Sequence, residues 1–249
     1  MGLASVSEIE QAGLRAWPAI DTATDGQWVL RAAGGYTKRA NSVQCLDPAD
    51  DGDAMERIQR AARWFRDRRL PPVFRVTPLA GAAVVAALEK EWTPFDHSLV
   101  LAMDMGPMRF AADENTALLP VTSSDWLRAQ QQLQGYDSDT LGRLQRIVER
   151  IKAPARGLVH YGEDVNPSAS ALMVVVNGVV FTNNVVTAAH QRRRGYARKL
   201  LTSGLAWARQ AGGRRAGIQV LAGNAPAIAL YEGLGYVRHY EYHYRRLGS

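Results

Sequence analysis

The stretch VVTAAHQRRRGYARK at residues 185–199 decides how this sequence is interpreted. Its first three residues are β-branched, which is typical of the end of a strand. Apolar residues then recur at the spacing of one helix face between Leu200 and Ala208. The sequence therefore predicts a strand that leads through the basic turn RRRGYA, residues 192–197, into a long helix.

This basic turn has the chemistry of an anion-binding site. The first N–H groups of a helix have no partner within the helix, and the helix dipole adds partial positive charge at the same end. Gly195 lacks a Cβ atom, so a bulky anion can approach the backbone closely. The arginines can each hold a phosphate through a planar fork of donors. We interpret the turn as a pyrophosphate site; the alternative is a solvated basic corner of the protein.

Composition indicates an ordinary globular protein. The chain has 249 residues, 47% hydrophobic and 22% charged, enough for one large domain or two small ones. Cys45 is the only cysteine, so an internal disulfide is impossible and a reducing compartment is favoured. The N-terminus lacks the pattern of a secretory signal, and no apolar run is long enough to span a membrane. We expect a cytoplasmic protein that does not associate with membranes.

The net charge of +6 is unevenly distributed. Residues 189–249 contain eleven Lys and Arg against two acidic residues, a net charge of +9, which leaves −3 for the rest of the chain. A nucleic-acid-binding protein can show such an excess. Here the charge is concentrated at one turn with no nucleic-acid motif around it, so a small polyanionic ligand is the simpler interpretation and no nucleic-acid partner is expected.

The first half of the chain predicts an alternation of strands and helices. A helix in the first fifteen residues is followed by strands at 28–31 and 42–46, a helix at 53–68, a strand at 73–76, a helix from 78 or 79 to 91, and a strand at 97–103. We expect Asp50 or Asp51 to cap the helix that begins near Asp53, and Arg57 to lie on its solvated face. Gly106-Pro107 is the candidate boundary between two domains, at 1–105 and 106–249.

The second half predicts a hairpin before the basic turn and a strand–helix–strand unit after it. A strand at 118–122 precedes two helices, and strands follow at 155–161, 169–176 and 179–187. Asn177-Gly178 is the favoured two-residue turn between the last two of these strands. Beyond the helix that follows the basic turn come a strand at 215–221, a helix capped by Asn224, and a terminal strand at 236–245.

Two motifs in this half carry a family resemblance. The turn RRRGYA at 192–197 is similar to the R/Q-x-x-G-x-G/A turn of the GCN5-related N-acetyltransferases, and NAPAIALYEGLGY at 224–236 resembles their second signature, N-x-x-A-x-x-L-Y-x-x-x-G-F/Y. The resemblance covers about residues 118–247. It implies an α+β fold with a mixed, mostly antiparallel sheet flanked by helices, and an acyl-CoA-dependent N-acyltransferase whose cosubstrate, acetyl-CoA, lies where two strands separate.

The resemblance also implies roles for individual residues. Strand residues before the turn would pair with the pantetheine arm, the turn would hold the pyrophosphate, Asn224 would contact the CoA arm, and Tyr231 would be the general acid that protonates the leaving thiolate. Without the resemblance, Tyr231 would be interpreted as an amphipathic tyrosine packed under the sheet, and Asn224 as a helix cap. The predicted cofactor-binding residues are Val185, Val186, Thr187, Arg192, Arg193, Arg194, Gly195, Tyr196, Ala197, Asn224 and Tyr231.

The order of elements in residues 1–105 resembles that of the second half of an acetyltransferase domain. However, residues 47–53, DPADDGD, are acidic where the later turn is basic, and an acidic loop repels CoA. We therefore interpret residues 1–105 as a degenerate unit of a tandem arrangement that forms one wall of the substrate site. An unrelated α+β cap is the alternative.

The predicted reaction is acetyl transfer to a primary amine of a small molecule, without a metal, by a monomer or homodimer. Direct attack is expected because Cys45 lies far from both motifs and offers no covalent relay. We expect the amine site between the two halves, where alternate tyrosines of the C-terminal strand could contribute. His190, Glu163, Asp164 and a bound water are candidates for the general base. The alternatives are a CoA-binding sensor without turnover and a protein N-acetyltransferase.

Overall fold

The structure is a computed structural model that describes residues 2–162 and 166–248. Within these residues the strands are β1 Asp21–Asp25, β2 Trp28–Ala32, β3 Val43–Cys45, β4 Val73–Val76, β5 Trp92–Asp104, β6 Thr116–Leu119, β7 Ala155–Tyr161, β8 Pro167–Val176, β9 Val179–Thr187, β10 Arg215–Leu221 and β11 Val237–Leu247. The helices are α1 Val6–Ala16, α2 Ala54–Asp67, α3 Ala82–Glu89, α4 Ser124–Gln134, α5 Ser138–Val148, α6 Tyr196–Gln210 and α7 Ala225–Glu232.

These strands form one continuous mixed sheet. Its order is β1-β2-β3-β4-β11-β5-β10-β9-β8-β7-β6. Only the β3–β4 and β9–β10 pairs are parallel within the described residues, and the other neighbours are antiparallel. The expectation of an α+β fold with a mostly antiparallel sheet flanked by helices is therefore confirmed.

The C-terminal strand joins the two halves of the chain. β11 lies between β4 and β5, and β5 pairs on its other side with β10, from Asp104 opposite Arg215 to Ser98 opposite Leu221. The sheet is therefore continuous across the proposed boundary at residue 105. The division into two domains remains a proposal based on Gly106-Pro107 and on the order of elements.

Two neighbouring strands separate in the middle of the sheet. Parallel pairing of β9 with β10 ends at Thr182 opposite Ile218, although both strands continue beyond that pair. At the same level the register of β9 against β8 shifts, and Asn184 takes a left-handed conformation with φ of 52°. The shift and the separation open a gap between the carboxyl ends of β9 and β10.

Three hydrophobic clusters hold the helices on the sheet. One contains α1, α4 and α5, a second contains α6 and α7, and a third packs α2 and α3 on the first strands. Gly204 allows α6 to lie close against the sheet, since a Cβ atom there would be 2.6 Å from Leu158 Cδ1 and from Met173 Sδ. The second cluster thus fixes the two helices that flank the gap.

Two local predictions in the first half were wrong. The N-cap of α2 is Asp53, in a left-handed conformation with φ of 52° and no side-chain capping bond, whereas Asp51 Oδ2 accepts from the amide of Ala83 at the start of α3. Arg57 is buried, not solvated, because it pairs with Asp25 and Asp50. Both errors come from partners distant in sequence.

Candidate functional site

The basic turn lies where the sequence predicted it, between β9 and α6. Gly195 precedes the helix with φ of 82°, and Arg193 also has a positive φ, of 64°. Among residues 2–162 and 166–248, the amides of residues 193–197 donate no backbone hydrogen bond of good geometry. These donors at a helix N-terminus are therefore available to an anion.

A cavity of about 770 Å³ runs along this turn. Its wall combines the end of β9, the turn, and one side of α7. The predicted cofactor-binding residues that line it are Val185, Val186, Thr187, Arg192, Arg193, Gly195, Tyr196, Ala197, Asn224 and Tyr231. Arg194 lies in the same turn with an exposed side chain and is outside this lining. The fold thus brings the residues of both motifs to one cavity.

Asn224 and Tyr231 are positioned by α7. The Asn224 side chain accepts a hydrogen bond from the amide of Ala227 at 3.3 Å, so the predicted helix cap is confirmed. Tyr231 lies near the C-terminal end of α7 and is buried. The centroid of its ring is 6.2 Å from that of the Tyr236 ring. Burial raises the pKa of the Tyr231 hydroxyl to about 12. The hydroxyl therefore keeps its proton at neutral pH and can act as a donor.

A second cavity, of about 340 Å³, adjoins the first. Val185, Asn224 and Tyr231 line both cavities and so form their common wall. The second cavity is lined by Lys38, Arg39 and Asp96 from the first half of the chain, and by residues of β9, β10 and β11 from the second half. The shared wall lies at the gap between β9 and β10.

The charged residues of the second cavity were missed by sequence reasoning. Lys38 Nζ lies 2.5 Å from Asp96 Oδ2, and Arg39 Nη1 donates to Asn183 Oδ1 at 2.6 Å. The loop before them, Gly34-Gly35-Tyr36, lies between the predicted strands at 28–31 and 42–46. The signal available in the sequence was Lys38-Arg39, two successive cationic residues after the glycine pair Gly34-Gly35. Elsewhere in this half, many acidic and basic side chains pair with one another.

The C-terminal tyrosines differ in their contact with the second cavity. Tyr242 and Tyr244 line the second cavity, and the Tyr242 hydroxyl donates to Gln219 Oε1 at 3.0 Å. Tyr240 is turned instead toward the interior, where its hydroxyl donates to the buried carboxylate of Glu10. All three tyrosines belong to one buried cluster, and only Tyr242 and Tyr244 also line the cavity.

Of the candidates for the general base, the structure places only His190, and it lies away from the shared wall. His190 is exposed in a short turn of 3-10 helix and lines neither of the two cavities described above. Glu163 and Asp164 lie outside the described residues. The carboxylate of Asp96 lines the second cavity, but it is paired with Lys38.

Neither a metal-binding cluster nor a membrane-spanning helix is found among the described residues. The described residues contain no group of three or more His, Cys, Asp or Glu side chains placed to hold a metal ion. Within the same residues, none of the helices has the length and apolarity needed to cross a membrane.

Comparison with known proteins gives a consistent family. The family model described as "Probable histone acetyltransferase Rv0428c C-terminal" matches residues 3–245. The chain is 25% identical to the "Uncharacterized N-acetyltransferase YobR" of Bacillus subtilis (strain 168) over 245 residues, which cover 96% of this chain and 98% of that protein.

Solved structures share the fold over nearly the whole chain. A GCN5-related N-acetyltransferase from Kribbella flavida superposes with a TM-score of 0.71 at 18% identity, covering 100% of this chain and 97% of that one. A tandem GNAT protein from the clavulanic acid biosynthesis pathway superposes with a TM-score of 0.64 at 15% identity, covering 95% and 86%. With the family model, these findings show that the chain belongs to the "Probable histone acetyltransferase Rv0428c C-terminal" family of GCN5-related N-acetyltransferases.

Proposed function

We propose that the protein transfers an acetyl group from acetyl-CoA to a primary amine of a small molecule, by direct attack, with Tyr231 as the general acid. The observation that carries this proposal is the position of Tyr231 in the wall common to two cavities. One cavity has the free amides and arginines suited to a pyrophosphate. The other is bounded by both halves of the chain and would take the amine.

The first cavity fits acetyl-CoA by the chemistry of its donors. The amides of residues 193–197 and the side chains of Arg192 and Arg193 would hold the pyrophosphate. The end of β9 beyond Thr182 does not pair with β10. Its backbone groups would therefore pair with the amide-containing pantetheine arm. An N–H group of this strand near the thioester would stabilise negative charge on the carbonyl oxygen.

Tyr231 suits the role of acid because of its protonation state. Its raised pKa, about 12, keeps the proton on the hydroxyl over the pH range in which an amine becomes nucleophilic. A thiolate that leaves at the shared wall would take this proton. The amine must lose its own proton before or during attack, and we assign no side chain to that step; a bound water remains the proposal.

Direct attack is supported by the position of the only cysteine. Cys45 lies in β3, is buried, and lines neither of the two cavities. Burial raises the pKa of its thiol to about 12, so little nucleophilic thiolate forms at neutral pH. A covalent acetyl-cysteine relay is therefore not part of the proposed mechanism.

The test is Tyr231→Phe, with Tyr236→Phe as the matched control. Removal of the acid should lower kcat about 100-fold, since a positioned acid contributes roughly 10²–10⁴-fold. The dissociation constant of acetyl-CoA should change less than about threefold, because the hydroxyl would act on the leaving thiolate in the transition state and not on the bound thioester. Tyr236 is buried beside Tyr231 but outside both linings, so its variant should keep most of the activity.

The pH profile provides a second measurement on the wild-type protein. With the pKa of Tyr231 near 12, kcat/KM should rise with the deprotonation of the free amine and should not fall again below about pH 10.5. A decline centred at pH 8–9 would contradict the assignment of the acid. Acetyl-CoA binding with no CoA release for any amine tested would favour the sensor alternative.

A further inference from the structure

The loop that carries Arg39 is held rigidly beside the second cavity. The Arg39 carbonyl accepts hydrogen bonds from Arg31 Nη1 at 2.6 Å and from Gln44 Nε2 at 2.9 Å, and both of these side chains are buried. Asn41 Oδ1 accepts from the amides of Ala33 and Gly35 on the same loop. The backbone of Arg39 is therefore fixed before any ligand arrives.

The guanidinium of Arg39 lacks an acidic partner. It lies over the Trp17 ring, with Cζ 5.3 Å from the ring centroid, and one nitrogen donates to Asn183 Oδ1. No carboxylate among residues 2–162 and 166–248 forms an ion pair with it. A guanidinium has five N–H donors, so most of its donor capacity remains available at the cavity.

Asn183 connects Arg39 with the gap in the sheet. It directly follows Thr182, the last residue of β9 that pairs with β10. Its side chain is buried, its oxygen is taken by Arg39, and its amide nitrogen has no hydrogen-bond partner within the described residues. Donors therefore outnumber acceptors at this part of the wall, which favours a ligand that supplies oxygen acceptors.

Among the described residues that line this cavity, Asp96 is the only one with a carboxylate, and the protein already neutralises it. Lys38 Nζ contacts Asp96 at 2.5 Å and lies 5.9 Å from the centroid of the Tyr244 ring. Lys38 thus contacts the carboxylate and one of the aromatic rings that would attract a cationic substrate. The described lining residues include two cations and one carboxylate, a net charge of +1.

On this basis we infer that the acceptor is a small amine that also carries a carboxylate, as in an amino acid, and that Arg39 binds this carboxylate while the amine lies at Tyr231. The inference rests on the proposed function and specifies its substrate class. A volume of about 340 Å³ is at the lower end of ligand pockets, roughly 300–1,000 Å³, and suits a molecule of that size. A bidentate guanidinium–carboxylate pair supplies the acceptors that the wall lacks.

The test compares acceptors that differ only in the carboxylate. CoA release is measured with glycine, L-alanine, L-phenylalanine and L-glutamate and with their α-carboxamides, at equal concentrations of free amine. The wild-type protein should prefer the carboxylate member of at least one pair by tenfold or more in kcat/KM. In Arg39→Gln most of this preference should disappear, and Arg39→Lys should restore part of it because the charge is retained.

Controls separate recognition from stability. Arg68 also stacks on a tryptophan, with Cζ 3.8 Å from the centroid of the Trp64 ring, but lies outside both cavities. Arg68→Gln should therefore leave the preference unchanged. The affinity for acetyl-CoA, measured by calorimetry, should be the same in wild type and Arg39→Gln, because Arg39 is outside the lining of the first cavity.

Two results would overturn the inference while leaving the proposed function intact. One is turnover with no preference for the carboxylate, or a preference for carboxamides, polyamines or lysine peptides. The other is an equal loss for both members of each pair in Arg39→Gln. Absence of CoA release with every amine would instead remove the proposed function, and the inference with it.

Discussion

The starts of α2 and α6 use the same backbone arrangement for different purposes. Each helix is preceded by a residue in the left-handed conformation, Asp53 with φ of 52° and Gly195 with φ of 82°, and neither N-cap makes a side-chain capping bond. Both follow a loop rich in charge, acidic at residues 47–53 and basic at 192–194. The two halves of the chain therefore resemble each other at this point in backbone and differ in charge.

The surroundings of the two loops explain the difference. Two of the acidic residues are bonded within the protein: Asp50 to Arg57 and to the amide of Gln27, and Asp51 to the amide of Ala83. The arginines of the later turn are exposed and have no acidic partner among the described residues, and a large cavity lies beside them. A helix N-terminus becomes an anion site only where neighbouring groups leave its donors open and its charge unpaired.

The largest effect is expected from Gly195→Val. A β-branched residue is strained at φ of 82°, by roughly 1–2 kcal/mol, and its side chain would intrude on the approach of a phosphate. The dissociation constant of acetyl-CoA should rise about 10- to 100-fold. Gly212→Val is the matched control, because Gly212 has φ of 95°, equally open space around its Cβ position, and lies outside the cavity lining. An equal loss of affinity in both variants would refute a local role for the turn.

A smaller effect on acetyl-CoA affinity is expected from substitutions of two neighbouring arginines, and it should differ between them. Arg193 lines the cavity and Arg194 does not, although both are exposed. Loss of one charge-assisted contact at an exposed site is worth about 1 kcal/mol, so Arg193→Gln should weaken acetyl-CoA binding about fivefold. Arg194→Gln should weaken it less than twofold. Calorimetry at low and high salt measures both, and equal effects would show that only the overall charge of the turn matters.

The smallest effect tests the acidic loop of the first half. Asp51→Ala removes the acceptor for the amide of Ala83, and loss of a helix cap costs about 1 kcal/mol, or roughly 2–4 °C in the melting temperature of a protein of this size. Acetyl-CoA affinity should not change. The control is Asp67→Ala, an exposed aspartate at the end of α2. A change in affinity without a change in stability would mean that the acidic loop contributes to ligand binding.

Predictions from the sequence were most accurate for features that depend on neighbouring residues, such as turns and helix caps. The Asn177-Gly178 turn has the positive φ values that this dipeptide favours, of 49° and 79°, and Asn224 caps its helix. Strand β1 was not predicted from the sequence. Its residues, DTATD, lack apolar alternation because the strand lies exposed at the sheet edge and pairs only with β2. A polar edge strand is stabilised by its partner, which a pattern within five residues does not reveal.

The amino-acid sequence by itself determined the α+β class, the strand–turn–helix with its open donors, and the residues of both motifs, because each depends on groups within a few positions of one another. Only the tertiary structure decided that β11 inserts between β4 and β5, that Arg57 is buried against Asp25 and Asp50, and that Arg39 and Asp96 share a cavity with Tyr231. These juxtapositions join residues as far as 192 positions apart in the numbering, from Arg39 to Tyr231. They follow from the pairing of distant strands, which local spacing does not encode.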